Sequence, residues 1–503
     1  MEQTRIEADE AAASQTGPLL PYPFARRHGV LVRATGDGRH ECRHRTPLPL
    51  PAILEVQRLF GAGLVFRPLE EAQFETALQE EYRDSASDAA GLADAAGTDL
   101  SSLAESAAAV EDLLDQRDDS PVIRLINALL LEAVNQGASD IHVETQERRV
   151  IVRFRVDGLL RDIVEPKRAL APLLISRIKV MARLDIAEKR VPQDGRVTLR
   201  VGGHEVDVRV STIPSQHAER VVMRILDRGS VRLDLSELGM GERDIALFQR
   251  LLDRPHGILL VTGPTGSGKT TSLYAALHRL NDRKRNIMTV EDPIEYELEG
   301  IGQTQVNPRT DLTFARGLRA ILRQDPDIIM VGEIRDHETA EVAVRASMTG
   351  HFVLSTLHTN TAIGSVIRLV DMGIERYLLA PMLVGVVAQR LVRRLCPDCR
   401  REDRATEADR ALLAGAIEIG APVFREAGCT QCRGTGYRGR TGLYEVVAID
   451  ERMQKLIHDG ASEAALLEAA REASPSLWDD GVAKVTAGVT SVEEMARVLR
   501  DEG

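Results

Sequence analysis

A glycine-rich segment at residues 263–270 constrains the fold of this chain more than any other feature. It reads Gly263, Pro264, Thr265, Gly266, Ser267, Gly268, Lys269 and Thr270. In such a G-x-x-x-x-G-K-T loop, successive backbone N–H groups curl around phosphate oxygens, Lys269 reaches the β- and γ-phosphates, and Thr270 offers a hydroxyl to Mg²⁺. The apolar run 257–262 predicts a buried strand before the loop, and Thr271 opens a segment with helical spacing. We therefore predict that residues 263–271 bind ATP and Mg²⁺ at a helix N-terminus.

Three later segments supply side chains of the kind that work beside a phosphate loop. Glu291 ends the apolar run 287–291, and Glu333 follows the run 327–331 after Gly332, where the usual acid of a Walker B strand is an aspartate. Carboxylates in these places order Mg²⁺ or orient water. We predict that Glu291 orients the attacking water and that Glu333 holds Mg²⁺, with the reverse assignment left open.

Two histidines bracket another apolar run, at residues 351 and 358. Histidines at the edge of a strand more often belong to the core than to a catalytic site. Here the run lies in the same strand–helix register as the loop, which favours a functional role. We therefore include His358 among the candidate catalytic residues.

Four of the five cysteines form two C-x-x-C pairs. They are Cys396, Cys399, Cys429 and Cys432. Four thiolates at this spacing are typical of a tetrahedral Zn²⁺ site without an open position, so we predict a structural zinc. A redox pair is the weaker interpretation, because neither pair opens a thioredoxin-like unit. Cys42 stands alone and is interpreted as an incidental thiol.

The chain has 503 residues, enough for about three domains. A proline-rich start is followed by an acidic stretch rich in alanine and serine, then by short alternating strands, and finally by alternating strands and helices. We predict an α/β protein made of a small N-terminal partner-docking domain (1–80), a flexible linker (81–119), an α+β second domain (120–232) and a RecA-like P-loop domain (233–503) that includes the zinc module (394–436) and C-terminal helices.

Composition limits which kinds of partner and which cellular compartment we expect for this protein. The net charge of −12 and an aromatic content of 3% are unusual for a protein that binds nucleic acid. The first residues resemble no secretory signal, and the most apolar stretch, 378–388, is too short to cross a bilayer. We therefore expect a cytoplasmic protein that docks on a membrane-bound partner.

Together these motifs resemble the secretion ATPase superfamily, which powers type II secretion and type IV pilus assembly. The resemblance rests on an acidic box at 290–295, an atypical Walker B segment at 331–336 and a histidine box at 349–360, supported by 139–144 and 190–196. The tetracysteine module separates the chain from the retraction ATPases. Residues 20–30 are similar to the type II secretion branch, with pilus extension ATPases as the alternative.

The resemblance implies a mechanism and partners. The family forms hexameric rings with ATP between the second domain and the P-loop domain, so Arg209 and Arg224 would act as arginine fingers on the γ-phosphate. Arg319 and Arg323 would present one helical face to the acidic boxes. Residues 1–80 would bind the cytoplasmic domain of an inner-membrane secretion protein, and domain rotation would push on an inner-membrane platform protein.

Two other classes remain open. A DNA-translocating motor could use residues 390–404 as a basic patch, although the acidic charge argues against it. A nucleotide-gated scaffold would hydrolyse little ATP. ATPase assays with DNA, and with acidic phospholipid plus the partner domain, distinguish these classes.

Overall fold

The structure is a computed structural model. It describes residues 121–201, 204–227 and 234–499, together with 20, 25, 28–34, 40–46, 48, 50–60, 64–70, 73–74 and 77 near the start of the chain. The predicted linker 81–119 and the predicted junction at 232–233 lie outside the described residues. Among the described helices, none combines the length and the apolar character needed to cross a membrane.

The chain divides into two compact units, Met1–Leu129 and Leu130–Gly503. In the first, strands β1 (Val30–Ala34), β2 (His40–Arg45) and β3 (Leu64–Leu69) form a sheet in that order. Strands β1 and β2 are antiparallel, whereas β2 and β3 are parallel and are connected through helix α1 (Leu50–Phe60). A crossover helix is the usual connection between parallel strands. Val30, Val32, Cys42 and Val56 form the centre of its core.

An antiparallel six-stranded sheet follows helix α2 (Pro121–Asn135). Its strands are β4 (Ala138–Thr145), β5 (Val150–Val156), β6 (Leu159–Val164), β7 (Gln193–Val201), β8 (His204–Ser215) and β9 (Ala218–Asp227), with helix α3 (Ala171–Met181) between β6 and β7. The strand order is β6-β5-β4-β9-β8-β7. These strands include the alternating segments that predict an α+β domain.

A seven-stranded sheet forms the rest of the fold. Its strands are β10 (Gly257–Thr262), β11 (Ile287–Glu291), β12 (Gly302–Gln305), β13 (Ile328–Val331), β14 (Phe352–Leu357), β15 (Leu383–Leu395) and β18 (Tyr437–Ala448), and the helices around it are α4 (Glu242–Leu252), α5 (Lys269–Leu280), α6 (Phe314–Ile321), α7 (His337–Met348), α8 (Ala362–Asp371) and α9 (Arg376–Met382). The order is β12-β11-β13-β14-β10-β15-β18, and only the β15–β18 pair is antiparallel. The predicted α/β class is confirmed.

Both faces of this sheet are covered at its centre, which explains why the central strands β10 and β13 are apolar runs. All six residues of β10 are buried. Ile258 and Leu260 belong to one core cluster, whereas Leu259 and Val261 belong to another. Because successive side chains of a strand point to opposite faces, these two clusters lie on the two sides of the sheet.

The cysteine pairs lie in a separate small module. Strands β16 (Arg401–Arg404) and β17 (Pro422–Arg425) form an antiparallel pair, with helix α10 (Glu407–Leu412) between them. The chain then returns to the large sheet as β18 and ends in four short helices: α11 (Glu451–His458), α12 (Glu463–Ala473), α13 (Leu477–Thr486) and α14 (Val492–Leu499).

Candidate active site

The carboxyl ends of the parallel strands meet at one edge of the large sheet. Thr262 at the end of β10 lies in register with Leu357 of β14 on one side and Ala388 of β15 on the other. The loop 263–268 therefore leaves the sheet between the segments that follow Leu357 and Ala388. In open α/β sheets this edge is where ligands bind.

The loop takes a conformation that requires its glycines. Gly266 and Gly268 have φ angles of 81° and 89°, in the left-handed region that glycine adopts at little cost. A Cβ atom on Gly268 would lie 2.7 Å from Nε2 of Gln389. A side chain at this position would therefore be strained by the backbone conformation and would displace the Gln389 amide.

Lys269 opens α5 and turns back over the loop. Its Nζ donates to the carbonyl oxygens of Gly263 at 2.7 Å and Pro264 at 3.0 Å. Burial lowers the pKa of Lys269 to about 8; Glu333 opposes this shift and Arg390 adds to it. The ammonium thus lies in a partly desolvated site, where an anion would be bound strongly.

Other loop residues also offer polar groups to a ligand. Ser267 is buried, and its hydroxyl has no hydrogen-bond partner within the described part of the chain. Thr265, Thr270 and Thr271 are exposed. A buried hydroxyl without a partner is costly in a folded protein, so the loop fits a polar ligand that would satisfy it.

Glu333 contacts a histidine and an arginine at the same edge. One carboxylate oxygen is 3.1 Å from Nε2 of His358, and the other pairs with Arg335. His358 follows β14 directly, whereas His351 lies at the opposite end of that strand, 2.9 Å from the Ala346 carbonyl oxygen. The structure thus brings only His358 of the two histidines to Glu333.

Glu291 has different surroundings. Its side chain is buried, and it accepts hydrogen bonds from Thr289 at 2.5 Å, from Gln303 at 3.0 Å and from the hydroxyl of Tyr274. Tyr274 belongs to α5 and Gln303 to β12. The carboxylate is therefore held in one orientation by three neutral donors.

Arg209 and Arg224 are directly opposite each other on β8 and β9. Arg209 lies 3.1 Å from Glu295 and also donates to the Ile294 carbonyl oxygen, so it contacts the segment that follows Glu291. Arg224 pairs with Asp140 at 3.0 Å, and 58% of its side chain is exposed. Two guanidinium groups on neighbouring positions repel each other, and each has a carboxylate partner that offsets this.

The structure corrects the expectation for the arginines near 320. Arg319 pairs with Glu338 on α7 at 2.6 Å, and Arg323 donates to the Arg319 carbonyl oxygen at 2.9 Å. Helix α6 ends at Ile321, so Arg323 lies beyond it. These arginines do not form one helical face directed at the acidic boxes, because the helix is too short to carry both.

Sequence reasoning missed two residues beside the loop. Gln389 accepts from the buried Ser272 hydroxyl at 2.7 Å, and the buried Arg390 donates to the Asn360 carbonyl oxygen at 3.1 Å. Both residues come directly after Ala388, at the end of an apolar run. Polar residues in such a position are the sequence signal that could have identified them as part of the site. Arg390 therefore does not belong to an exposed basic patch at 390–404, and Arg393 of the same segment pairs with Glu494 at 2.8 Å.

The four cysteines converge as predicted. All four sulfur atoms lie within 4.8 Å of one another. The Sγ–Sγ distances are 3.9 Å for Cys396–Cys429 and 3.7 Å for both Cys399–Cys432 and Cys429–Cys432. Sulfur ligands about 2.3 Å from a tetrahedral Zn²⁺ lie about 3.8 Å apart, so this donor set fits zinc.

Backbone groups support a thiolate in the cluster. Burial opposes ionisation of Cys432, but N–H groups of Cys429 and Gly436 donate to its sulfur at 3.1 Å and 3.2 Å and lower its pKa to about 6. Metal ligation by cysteine requires the thiolate.

Comparison with known sequences identifies the family. Residues 115–497 match the family described as type II/IV secretion system protein, and residues 19–82 match a domain family of GSPII protein E. The chain belongs to the type II/IV secretion system protein family. A type II secretion system protein E of Pseudomonas aeruginosa is 58% identical over 98% of this chain and 99% of that protein. A type II secretion system ATPase E of Vibrio cholerae is 54% identical over 97% of this chain and 98% of its own length.

Two solved structures share the fold of this chain. The pilus retraction motor PilT, solved with bound ADP, is 27% identical with a TM-score of 0.51, covering 74% of this chain and 95% of PilT. The ATPase DotB of Legionella pneumophila is 22% identical with a TM-score of 0.56, covering 74% and 94%. The predicted family and enzyme class are confirmed: this member of the type II/IV secretion family is a type II secretion ATPase.

Proposed function

We propose that this ATPase hydrolyses ATP at a RecA-like P-loop core and acts as a hexameric ring that powers protein export and pseudopilus assembly. The observation that carries the proposal is the juxtaposition, at one sheet edge, of the loop 263–268, the desolvated Lys269 ammonium and Glu333. An anion on the loop would replace the carbonyl partners of Lys269 and would accept a hydrogen bond from the Ser267 hydroxyl.

The surroundings of the two acidic residues support the roles that we propose for them. Thr270 and Glu333 would hold Mg²⁺, which when bound neutralises charge on the phosphates. Glu291, fixed by its three donors, orients the attacking water. His358 lies against Glu333 and keeps that carboxylate in place.

Arg209 and Arg224 are proposed as arginine fingers. Their opposed positions on β8 and β9 supply two adjacent positive charges, and Arg209 already lies on the segment that follows Glu291. Such groups meet charge that develops in the transition state. A ring in which ATP joins two domains would couple hydrolysis to domain rotation.

The relatives support the proposed partners and compartment. The match of residues 19–82 to a domain of GSPII protein E supports docking of residues 1–80 on the cytoplasmic domain of an inner-membrane secretion protein. We place the ATPase in the cytoplasm, attached to the inner membrane through that protein and a platform protein, with no nucleic-acid partner. The cysteine cluster would hold a structural Zn²⁺.

The test is a Lys269→Ala variant. We expect it to fold and to lose ATP turnover, because the ammonium is the cation of the loop. Complementation of a strain lacking the native secretion ATPase distinguishes export from pilus assembly: wild-type chain should restore release of exoproteins, and the variant should not. Full turnover in a folded Lys269→Ala protein would overturn the assigned site.

A further inference from the structure

One tyrosine joins the phosphate-loop helix to the buried glutamate. Tyr274 is fully buried, five residues into α5, the helix that Lys269 opens. Its hydroxyl donates to Glu291 and accepts from the backbone N–H of Glu295 at 3.3 Å. A single oxygen thus connects the helix both to the carboxylate and to the chain just beyond it.

The segment 291–296 is also held from the other side. Arg209 on β8 pairs with Glu295 and donates to the Ile294 carbonyl oxygen. Tyr274 and Arg209 therefore hold the same short segment from two different domains. A displacement of α5 at the loop would reach Glu291 and the Arg209 contact through the Tyr274 hydroxyl.

We propose that Tyr274 is a positioning residue for hydrolysis, which fixes the Glu291 carboxylate and transmits the position of the phosphate-loop helix to the segment that Arg209 contacts. The proposal rests on the proposed role of Glu291. In this role Tyr274 acts through Glu291 and does not contact the phosphates itself.

The Tyr274 hydroxyl is one of three donors that fix the Glu291 carboxylate. The other two are Thr289 and Gln303. Of these three donors, Tyr274 is the one that comes from the phosphate-loop helix, because Thr289 belongs to β11 and Gln303 to β12. Loss of its hydroxyl therefore removes the link between that helix and the carboxylate.

The neighbouring Tyr296 supplies a matched control. Its ring lies 4.6 Å from that of Tyr274, edge to face. Its hydroxyl is buried and has no hydrogen-bond partner among the residues that the structure describes. Tyr274→Phe and Tyr296→Phe therefore remove the same buried atom from adjacent rings, but only the first removes a donor to Glu291.

The experiment measures kcat and KM for ATP in full-length wild type, Tyr274→Phe and Tyr296→Phe, with thermal melting of each. For Tyr274→Phe we expect kcat to fall about 10-fold, since one hydrogen bond to a charged group is lost. KM should stay within about twofold, because the tyrosine positions a group that acts in the transition state. Tyr296→Phe should match wild type in both kcat and KM.

Three results would overturn the proposal. They are an unchanged kcat in Tyr274→Phe, a loss of kcat/KM that comes mainly from a raised KM, and equal losses in both variants that follow a common fall in melting temperature. The second would assign the tyrosine to nucleotide binding, and the third would assign it to packing. A wild-type protein no more active than Lys269→Ala would instead contradict the proposed function.

Discussion

Substitution of two of the four clustered cysteines should unfold the cysteine module without destroying the proposed nucleotide site. A Cys396→Ser, Cys399→Ser double variant keeps only two of the four sulfur atoms that lie within 4.8 Å of one another. Structural zinc contributes on the order of 10 kcal/mol at neutral pH, and a two-thiolate remnant retains little of this. The loss exceeds what two polar substitutions on an exposed loop would cost.

The structure indicates which contacts the loss of stability would break. The module is attached at its ends, where the Leu395 N–H donates to Val489 at 2.9 Å and the Cys396 N–H donates to Gly436 at 2.8 Å. Arg433 also donates to the Asn135 carbonyl oxygen at the end of α2, at 3.1 Å. Unfolding of 396–436 would break these links, whereas the pairing of β10 with β14 lies outside them.

Zinc content, limited proteolysis and ATP affinity form the assay. Wild type should carry one zinc per chain, and the double variant should carry almost none and be cleaved within 397–435. Its ATP affinity should stay within about threefold of wild type. Cys42→Ala is the matched control, because Cys42 is buried in the first unit and should leave zinc content unchanged. Zinc-free wild type, or a double variant with full zinc, would refute the reasoning.

Three further outcomes are expected. Burial holds the pKa of Lys269 near 8, so the ammonium loses its proton as the pH rises through 8. The affinity for ATP should therefore be full below pH 7 and several-fold weaker by pH 9.5. Calorimetry in buffers of different ionisation enthalpy should detect proton uptake on ATP binding near pH 8. Glu291→Gln and Glu333→Gln should each lower kcat by about 100-fold or more, with Mg²⁺ affinity reduced only in the second; the opposite pattern exchanges the two roles. Arg209→Ala and Arg224→Ala should lower kcat far more than ATP affinity. The specific activity of wild type should rise steeply with protein concentration if the active form is a ring. A specific activity that does not change with protein concentration counts against a ring.

Features set by contiguous sequence could be predicted. The strand before the loop is a continuous apolar run, and the loop itself is fixed by the glycine spacing, so both follow from local chemistry. The four cysteines could be assigned to one metal site because few other side chains bind zinc so strongly. The place of Gln389 beside the loop depends instead on the pairing of β15 with β10. No local pattern indicates that pairing, since the order of parallel strands depends on which faces pack together.

The two glutamates show what the sequence could not distinguish. Glu291 ends β11 and Glu333 follows β13 after one residue, Gly332. Because β11 and β13 are neighbours in the sheet, the two glutamates have similar positions in the sequence pattern. Glu333 pairs with His358 and Arg335, and its charge opposes the lowering of the Lys269 pKa. Glu291 instead accepts from three neutral donors, which come from α5, β11 and β12. A carboxylate beside cations suits a charged ligand such as a metal–phosphate complex, and one held by neutral donors suits the orientation of a water molecule. The surroundings therefore favour the predicted division of roles, and they depend on side chains that come from other strands and helices.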